Sequence, residues 1–230
     1  MPFLIWGVPV VKAIWRFDQL ISVEHALPSG SHKSRSNASN GRSQTGPYVS
    51  VGIGPDWVGD SNLTINGNRL TSHWDAGFGG FVGVGDAFPI GLRLELEGSG
   101  RQDGVTSFNN HPWYGTQWDT SVLANLLYDF STGTRFVPYI GGGLGITRLS
   151  WGNNFRGLGP YIYDDSNTQL GWQGIVGTAY TLTPRLALTA DFRIKGANGN
   201  RFRSSGPPGS DVTGYDYNTK SLFFGLRYTL

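Results

Sequence analysis

The sequence predicts an all-β fold, an eight-stranded antiparallel up-and-down transmembrane β-barrel with short periplasmic turns and long extracellular loops. Three observations predict it. Segments of about ten residues alternate apolar and polar side chains, the two-residue period of a two-faced strand. Their connections alternate between short and long, as in outer-membrane barrels. Aromatic residues gather at both ends of the apolar rows, where a membrane-facing surface meets water.

Composition narrows the class. The 230 residues include 35 glycines and 13% aromatics but only 15% charged residues, below the roughly 25% usual in soluble domains. A formal net charge of +2 with scattered basic residues argues against a nucleic-acid partner. With no cysteine, a disulfide scaffold, a thiolate metal site and a cysteine nucleophile are excluded. No run of about 20 apolar residues suggests a helical membrane span.

Residues 1–45 are set apart from the fold. Pro2 to Ile14 is apolar apart from Lys12, and Ser29 to Gln44 is a Ser/Asn/Gly-rich basic stretch without periodicity. They are read as a divergent export signal or a misassigned start, followed by a disordered lead-in. The barrel domain is expected over 46–230.

Strand one (Tyr48 to Trp57) sets Val49, Val51, Ile53 and Trp57 against Ser50, Gly52 and Gly54. Strand two (Trp74 to Gly85) sets Trp74, Ala76, Phe78, Val82 and Val84 against Asp75 and glycines. In strand three (Ile90 to Gly98), Leu92, Leu94 and Leu96 oppose Arg93, Glu95 and Glu97. Strands four and five form a hairpin from Asp119 to Leu149. Val122, Ala124, Leu126, Tyr128 and Phe130 share a face on its first arm, and Phe136, Ile140, Leu144 and Ile146 on its second. Strand six (Leu170 to Leu182) sets Leu170, Trp172, Val176, Tyr180 and Leu182 against Gln173, Gly177 and Thr181. Strand seven (Leu186 to Lys195) alternates Leu186, Leu188, Ala190, Phe192 and Ile194 with Thr189, Asp191, Arg193 and Lys195. Strand eight (Ser221 to Leu230) alternates Leu222, Phe224, Leu226, Tyr228 and Leu230 with Ser221, Gly225, Arg227 and Thr229. Tight turns are expected at Asp86 to Pro89, Ser131 to Thr134 and Thr183 to Pro184. Long polar links are expected at Gly59 to Ser72, Gln102 to Gln117, Gly152 to Gln169 and Gly196 to Lys220.

Alternation alone does not say which face is outside; the aromatics do. Trp57, Trp74, Trp118 and Trp172 fall at the long-loop ends of their apolar rows, and Tyr128, Phe130, Phe136, Tyr180 and Tyr228 at the short-turn ends. These are the two membrane girdles, with lipid against the apolar face. The other face then lines the lumen and carries Arg93, Arg193, Lys195 and Arg227 with Glu95, Glu97, Asp129 and Asp191. Enclosure requires these eight charges to pair. Asp129 and Tyr139 are placed near a periplasmic turn, with Arg193 or Arg227 as partner.

Four motifs in this order resemble the small eight-stranded outer-membrane barrels, the OmpA-like transmembrane domain and Opa-type "porin family" proteins. They are Tyr128-Asp129-Phe130, the run Pro138 to Gly145, Leu188 to Arg193, and the terminal Leu222 to Leu230. The resemblance implies the outer membrane of a Gram-negative bacterium and contact with outer-membrane lipid and lipopolysaccharide, and the chain is expected to be a monomer. It also implies that Phe224, Leu226, Tyr228 and Leu230 form the signal read by the barrel-assembly machinery. Here the strand ends on Leu230 where an aromatic is common in the family.

Catalytic and metal chemistry finds little support. His25, His32, His73 and His111 have no Ser or carboxylate in a recognisable motif beside them, and the Asp164-Asp165-Asn167 loop reads as solvated rather than as a calcium site. No enzyme, cofactor or metal is expected. The functional expectation is a structural, adhesion or surface-interaction role. Phe108, Trp113, Tyr114, Tyr161 and Tyr163 would offer a contact surface to an extracellular ligand. The alternatives are a narrow porin-like channel, a lipid-modifying enzyme and a soluble calycin-like carrier.

Overall fold

The computed structural model describes residues 44–59, 61–65, 68–74, 76–108, 111–151, 165–203 and 212–230. The strands are β1 (Gly46–Val58), β2 (Ser61–Ile65), β3 (Asn68–Trp74), β4 (Ala76–Ala87), β5 (Leu92–Phe108), β6 (His111–Asp129), β7 (Phe136–Trp151), β8 (Asp165–Thr181), β9 (Leu186–Phe202) and β10 (Val212–Thr229). Eight of them close a ring, β1-β4-β5-β6-β7-β8-β9-β10, and β10 returns to β1 with Tyr48 opposite Thr229 and Ile53 opposite Phe224. Every pairing is antiparallel. The β2–β3 hairpin prolongs the β1–β4 pair. Thr64 of β2 lies opposite Thr213 of β10, and β3 pairs with β5 from Ser72 opposite Phe108.

Short-range chemistry makes the three tight turns. In the first, Gly91 adopts φ +87° and donates its N–H to the Phe88 carbonyl at 3.0 Å. In the second, Gly133 supplies φ +72°, a left-handed conformation that costs glycine little. The Thr132 hydroxyl closes that turn on the Phe136 carbonyl at 2.5 Å. The third turn, holding Pro184, is tied by the Leu186 N–H donating to the Thr183 hydroxyl at 3.0 Å.

At the other end the expected long links are replaced in large part by paired strand. β5 and β6 stay paired up to Phe108 opposite His111, through the described residues of the expected link from Gln102 to Gln117, with a register shift between Val105 and Ser107. Likewise Asp165 to Gln169 belongs to β8, Gly196 to Phe202 to β9 and Val212 to Lys220 to β10. Of the expected strand from Trp74 to Gly85, Trp74 belongs to β3 and Ala76 to Gly85 to β4, with Asp75 between them outside the described residues. Apolar alternation detects a strand only where one face meets an apolar medium. Beyond that level Gln102, Thr116, Arg148 and Thr168 face outward, and a two-period strand then looks like a polar loop.

The barrel wall has opposite characters along its height. From Val49, Val84, Tyr128, Ile140 and Tyr228 up to Ile53, Val122, Ile146 and Ile194, the outward side chains are apolar and exposed. Leu144 is 62% exposed, while inward Glu97 and Lys195 are 0% exposed. Higher up the order reverses. Leu149, Trp151, Ala197, Phe202 and Tyr217 point inward and are fully or almost fully buried, and Arg148, Arg201, Arg203 and Asn218 are exposed.

Candidate functional site

The lumen at the level of the outer apolar band is filled by side chains in layers. Lowest lies an apolar cluster of Leu127, Val137, Ile175, Ala179 and Ala187 around Tyr139. Beside it, with Asp129 opposite Tyr139, Arg93 opposite Leu127 and Arg227 opposite Ala187, Asp129 receives Arg93 Nε at 2.8 Å and Arg227 Nη1 at 3.4 Å. The Arg93 guanidinium also lies 4.7 Å from the centre of the Tyr139 ring, a cation–π contact. Tyr139 donates its hydroxyl proton to Asp191.

The middle layer centres on Arg193. Its Nη1 reaches Glu97 at 2.6 Å and its Nη2 reaches Asp191 at 2.9 Å. The guanidinium carbon sits 3.8 Å from the Phe81 ring centre and 5.5 Å from that of Phe223. Asn125 donates to Glu97 at 2.8 Å and to Glu95 at 3.3 Å, and Gln173 donates to the Asn125 carbonyl oxygen at 2.8 Å. Ser50 completes Glu95 at 2.8 Å. Glycines make the room: a Cβ on Gly143 or Gly177 would fall 2.0 Å from Asn125 Oδ1 and 2.7 Å from Asp191 Oδ1 respectively.

A third layer spans the upper edge of the apolar band. Lys195 Nζ bonds Asp119 Oδ2 at 2.6 Å, and Arg101 lies between Asp56 at 3.3 Å and Asp119 at 3.6 Å. Thr219 and Ser221 donate to Asp56, and Ser121 donates to Asp119 at 2.7 Å. Asp103 is buried beside them. Over this layer Trp151 stacks on Phe202, centroids 4.0 Å apart and planes within 10°, and its indole N–H donates to Gln117 at 2.7 Å.

Each of the eight lumen charges singled out in the sequence, Arg93, Glu95, Glu97, Asp129, Asp191, Arg193, Lys195 and Arg227, is buried inside the barrel. The pairing differs in detail from expectation. Arg93, one step along β5 from its turn, takes Asp129 together with Arg227, whereas Arg193 sits higher and serves Glu97 and Asp191. Asp56, Arg101, Asp103 and Asp119 were missed because they fall at or beyond the expected strand ends. Phe81 and Phe223 share the inward parity of Gly83 and Arg227, but nothing in their own strands gives them a role there. Including all of these, five cations face seven carboxylates among the described buried residues.

Of the expected girdle residues, Trp57, Trp118 and Trp172 are exposed on the outer wall at the long-link side. Tyr128, Phe130, Phe136 and Tyr228 are exposed at the turn side, where Tyr180 packs on Phe136 with centroids 4.8 Å apart. Phe224, Leu226, Tyr228 and Leu230 all point outward. The side chains of Trp74, His73, Phe108, His111, Trp113 and Tyr114 lie outside those described, as do residues Tyr161, Tyr163 and Asp164, His25, His32 and the lead-in up to Ser43, whereas Gln44 at its end is buried and donates to the Thr183 carbonyl at 3.1 Å. Asp165 accepts the backbone N–H groups of Ser166 and Arg203, each at 2.8 Å, and Asn167 donates to the Arg201 carbonyl at 2.9 Å. These two side chains tie β8 to β9.

Residues 34–229 match the family model described as "Outer membrane protein beta-barrel domain". The chain belongs to this family. An outer membrane protein of Gluconacetobacter diazotrophicus is 35% identical over 196 residues, covering 69% of this chain and 48% of the relative. The chain thus spans about half the length of that relative. Outer membrane protein PagN of Salmonella typhimurium is 27% identical over 187 residues, covering 71% of this chain and 78% of PagN. Among solved structures, OprG of Pseudomonas aeruginosa superposes with a TM-score of 0.58 at 16% identity, over 82% of this chain and 99% of OprG. Neisserial surface protein A gives 0.52 at 18% identity, over 81% and 98%. As a member of the outer membrane barrel family the chain sits in the outer membrane of a Gram-negative bacterium. Its exposed aliphatic band is the surface that lipid covers.

Proposed function

We propose that this protein is a closed, non-conducting and non-enzymatic outer-membrane barrel, monomeric, that works in adhesion or surface contact through its extracellular side. The observation that carries this reading is the filled lumen. Between Ser50, Phe81, Glu95, Tyr139, Asp191 and Arg193 lies a cavity of only about 20 Å³, room for about one water. Paired charges and stacked rings in this space favour a plug over a water path. Glu97, Asp119, Asp129 and Asp191 are engaged by arginines or a lysine and Glu95 by an amide and a hydroxyl, which leaves these five poor general acids or bases. Above the plug, the Trp151–Phe202 stack and buried Leu149 and Tyr217 give the extracellular strands a packed interior, so they can hold the connecting segments on a firm base. The outward row Phe224, Leu226, Tyr228 and Leu230 on the closing strand suits the role of a signal for the barrel-assembly machinery.

Planar-bilayer recording of the refolded protein tests the plug. Silence is expected; a steady conductance that changes in Arg93→Gln or Glu95→Gln would replace this reading with the narrow pore. Adherence of cells displaying the protein tests the contact role. Replacing residues 152–164 with a short turn is expected to lower it, and unchanged adherence would count against these segments as the contact surface.

A further inference from the structure

Just beyond the lipid band the barrel wall changes partners. The β4–β5 ladder ends at Phe78 opposite Gln102, and β5 takes up β3 from Val105 opposite Trp74. Asp103 lies in the step between these two pairings. It sits opposite Gln117, one row above the Gln102–Trp118 pair of the girdle and so on its water side. The Asp103 side chain points inward and is buried, 1% exposed. It passes over Gly77, where an added Cβ would fall 2.0 Å from Asp103 Oδ1. Gly77 pairs in turn with Asp56 of β1. The Asp103 carboxyl therefore reaches across β4 to the Asp56 carboxylate.

The charges of this layer do not balance as they stand. Three acids, Asp56, Asp103 and Asp119, meet two cations, Arg101 and Lys195. Asp56 takes Arg101 and the hydroxyls of Thr219 and Ser221. Asp119 takes Lys195, Arg101 and Ser121. Asp103 takes none of them, and neither of its oxygens has a donor among the described residues. The group within its reach, Asp56, is itself an acceptor, and two carboxylates pack together only when a proton lies between them. One proton on Asp103 supplies the missing donor and brings the layer to zero net charge. Burial first, and then the charges of Asp56 and Asp119, push the Asp103 carboxyl up to about 8. Tyr217 of β10 faces the same acids and keeps its own proton, because burial and then those acids push its hydroxyl well up. Gly77 of β4 and Trp151 of β7, the neighbours along this row, do not titrate.

We propose that Asp103 carries a proton in the folded barrel and donates it to Asp56, tying β5 to β1 across Gly77 with a bond that alkaline medium releases. The tie crosses the step where β5 leaves β4 for β3, so a side-chain bond holds the wall where the backbone ladder is interrupted. It is a proton-dependent latch at the base of the extracellular strands. In the unfolded chain Asp103 ionises near the ordinary value of about 3.9. From there up to about 8 the folded protein holds a proton that the unfolded chain has released. The latch therefore contributes in full below the unfolded value and is lost as pH rises through the folded one.

Infrared spectroscopy of the refolded protein reads the proton directly. The wild-type protein is expected to show a protonated-carboxyl stretch at neutral pH that fades with a midpoint of about 8. Asp103→Asn, which keeps the size and a donor toward Asp56, should lack that component. Asp56→Asn, which removes the nearest like charge, should keep it and move its midpoint down by about one unit. In urea titrations of the barrel in vesicles, the wild-type unfolding midpoint should fall between about pH 5 and pH 8, relative to Asp103→Asn. Heat-modifiable gel migration verifies folding of each variant, and the downward shift in Asp56→Asn carries the test if Asp103→Asn does not fold. A wild-type spectrum without a protonated carboxyl at neutral pH would overturn the proposal. So would an unfolding profile that keeps the same pH dependence in Asp103→Asn, which would assign the alkaline step to Lys195. A midpoint that rises with sodium or magnesium at fixed pH, with no carboxyl band, would put a bound cation in place of the proton.

Discussion

The barrel interior holds two unlike fillings one above the other. Within the membrane the inward side chains are ion pairs and amides beside a small apolar cluster around Tyr139, with Arg193 bridging Glu97 and Asp191. Above the membrane they are Leu149, Trp151, Phe202 and Tyr217, packed as in a water-soluble core. The outer wall changes in the opposite sense at the same height, from Leu144 and Ile146 to Arg148 and Ser150 on β7. One continuous strand is thus apolar-out in lipid and apolar-in above it. The switch costs no bulge on β7, since its pairing with β6 runs unbroken from Asp129 opposite Tyr139 to Gln117 opposite Trp151. Each medium selects its own face, and hydrogen bonding carries on regardless.

The two levels should respond differently to the same kinds of change. The largest loss is expected from Arg193→Ala, which leaves Glu97 and Asp191 buried without their cation; about 4 kcal/mol of stability should disappear in urea titrations of the folded barrel in vesicles. Trp151→Ala opens the upper core and should cost about 3 kcal/mol. That loss should appear in hydrogen exchange of β7 and β9 amides above the girdle, while those at the Leu144 level stay protected. On the outer wall, Leu144→Arg places a charge in mid-band and should cost about 2 to 3 kcal/mol. The same change six residues on, Ser150→Arg, faces water and should stay within about 0.5 kcal/mol. Similar costs for these two arginines would break the assigned boundary between the levels.

This reversal also explains what the sequence discloses and what it hides. Leu94, Leu96, Phe192 and Ile194 keep a strict period against charged neighbours, and strands, facing and the charged lumen all follow from them. In β7 the apolar positions run on even numbers through Ile146 and then move to Leu149 and Trp151. A reading that tests for one continuous apolar row ends the strand at that step. The pattern was present, shifted by one, and the upper strand lengths would have followed from allowing the shift. Partner choice inside the lumen was less legible. Whether Arg93 or Arg193 meets Asp129 depends on strand stagger around a closed ring, which no single strand's alternation encodes. Inward Phe81 and Phe223 were concealed for a related reason, since their role is to flank Arg193 and that neighbour comes from another strand.

The seam between β1 and β10 has a kinetic consequence. Tyr48 faces Thr229, and the Leu230 N–H donates to the Pro47 carbonyl at 2.9 Å, so the bond that closes the ring joins its most widely separated strands. The entropy of closing so long a loop must be met before the seam contributes any contact. Until that moment β1 presents an unpaired edge, a template for joining other chains. Assembly should therefore be limited by docking β10 onto β1 rather than by any hairpin, and a catalyst that holds β10 near that edge would hasten the slowest step and shield the intermediate from aggregation.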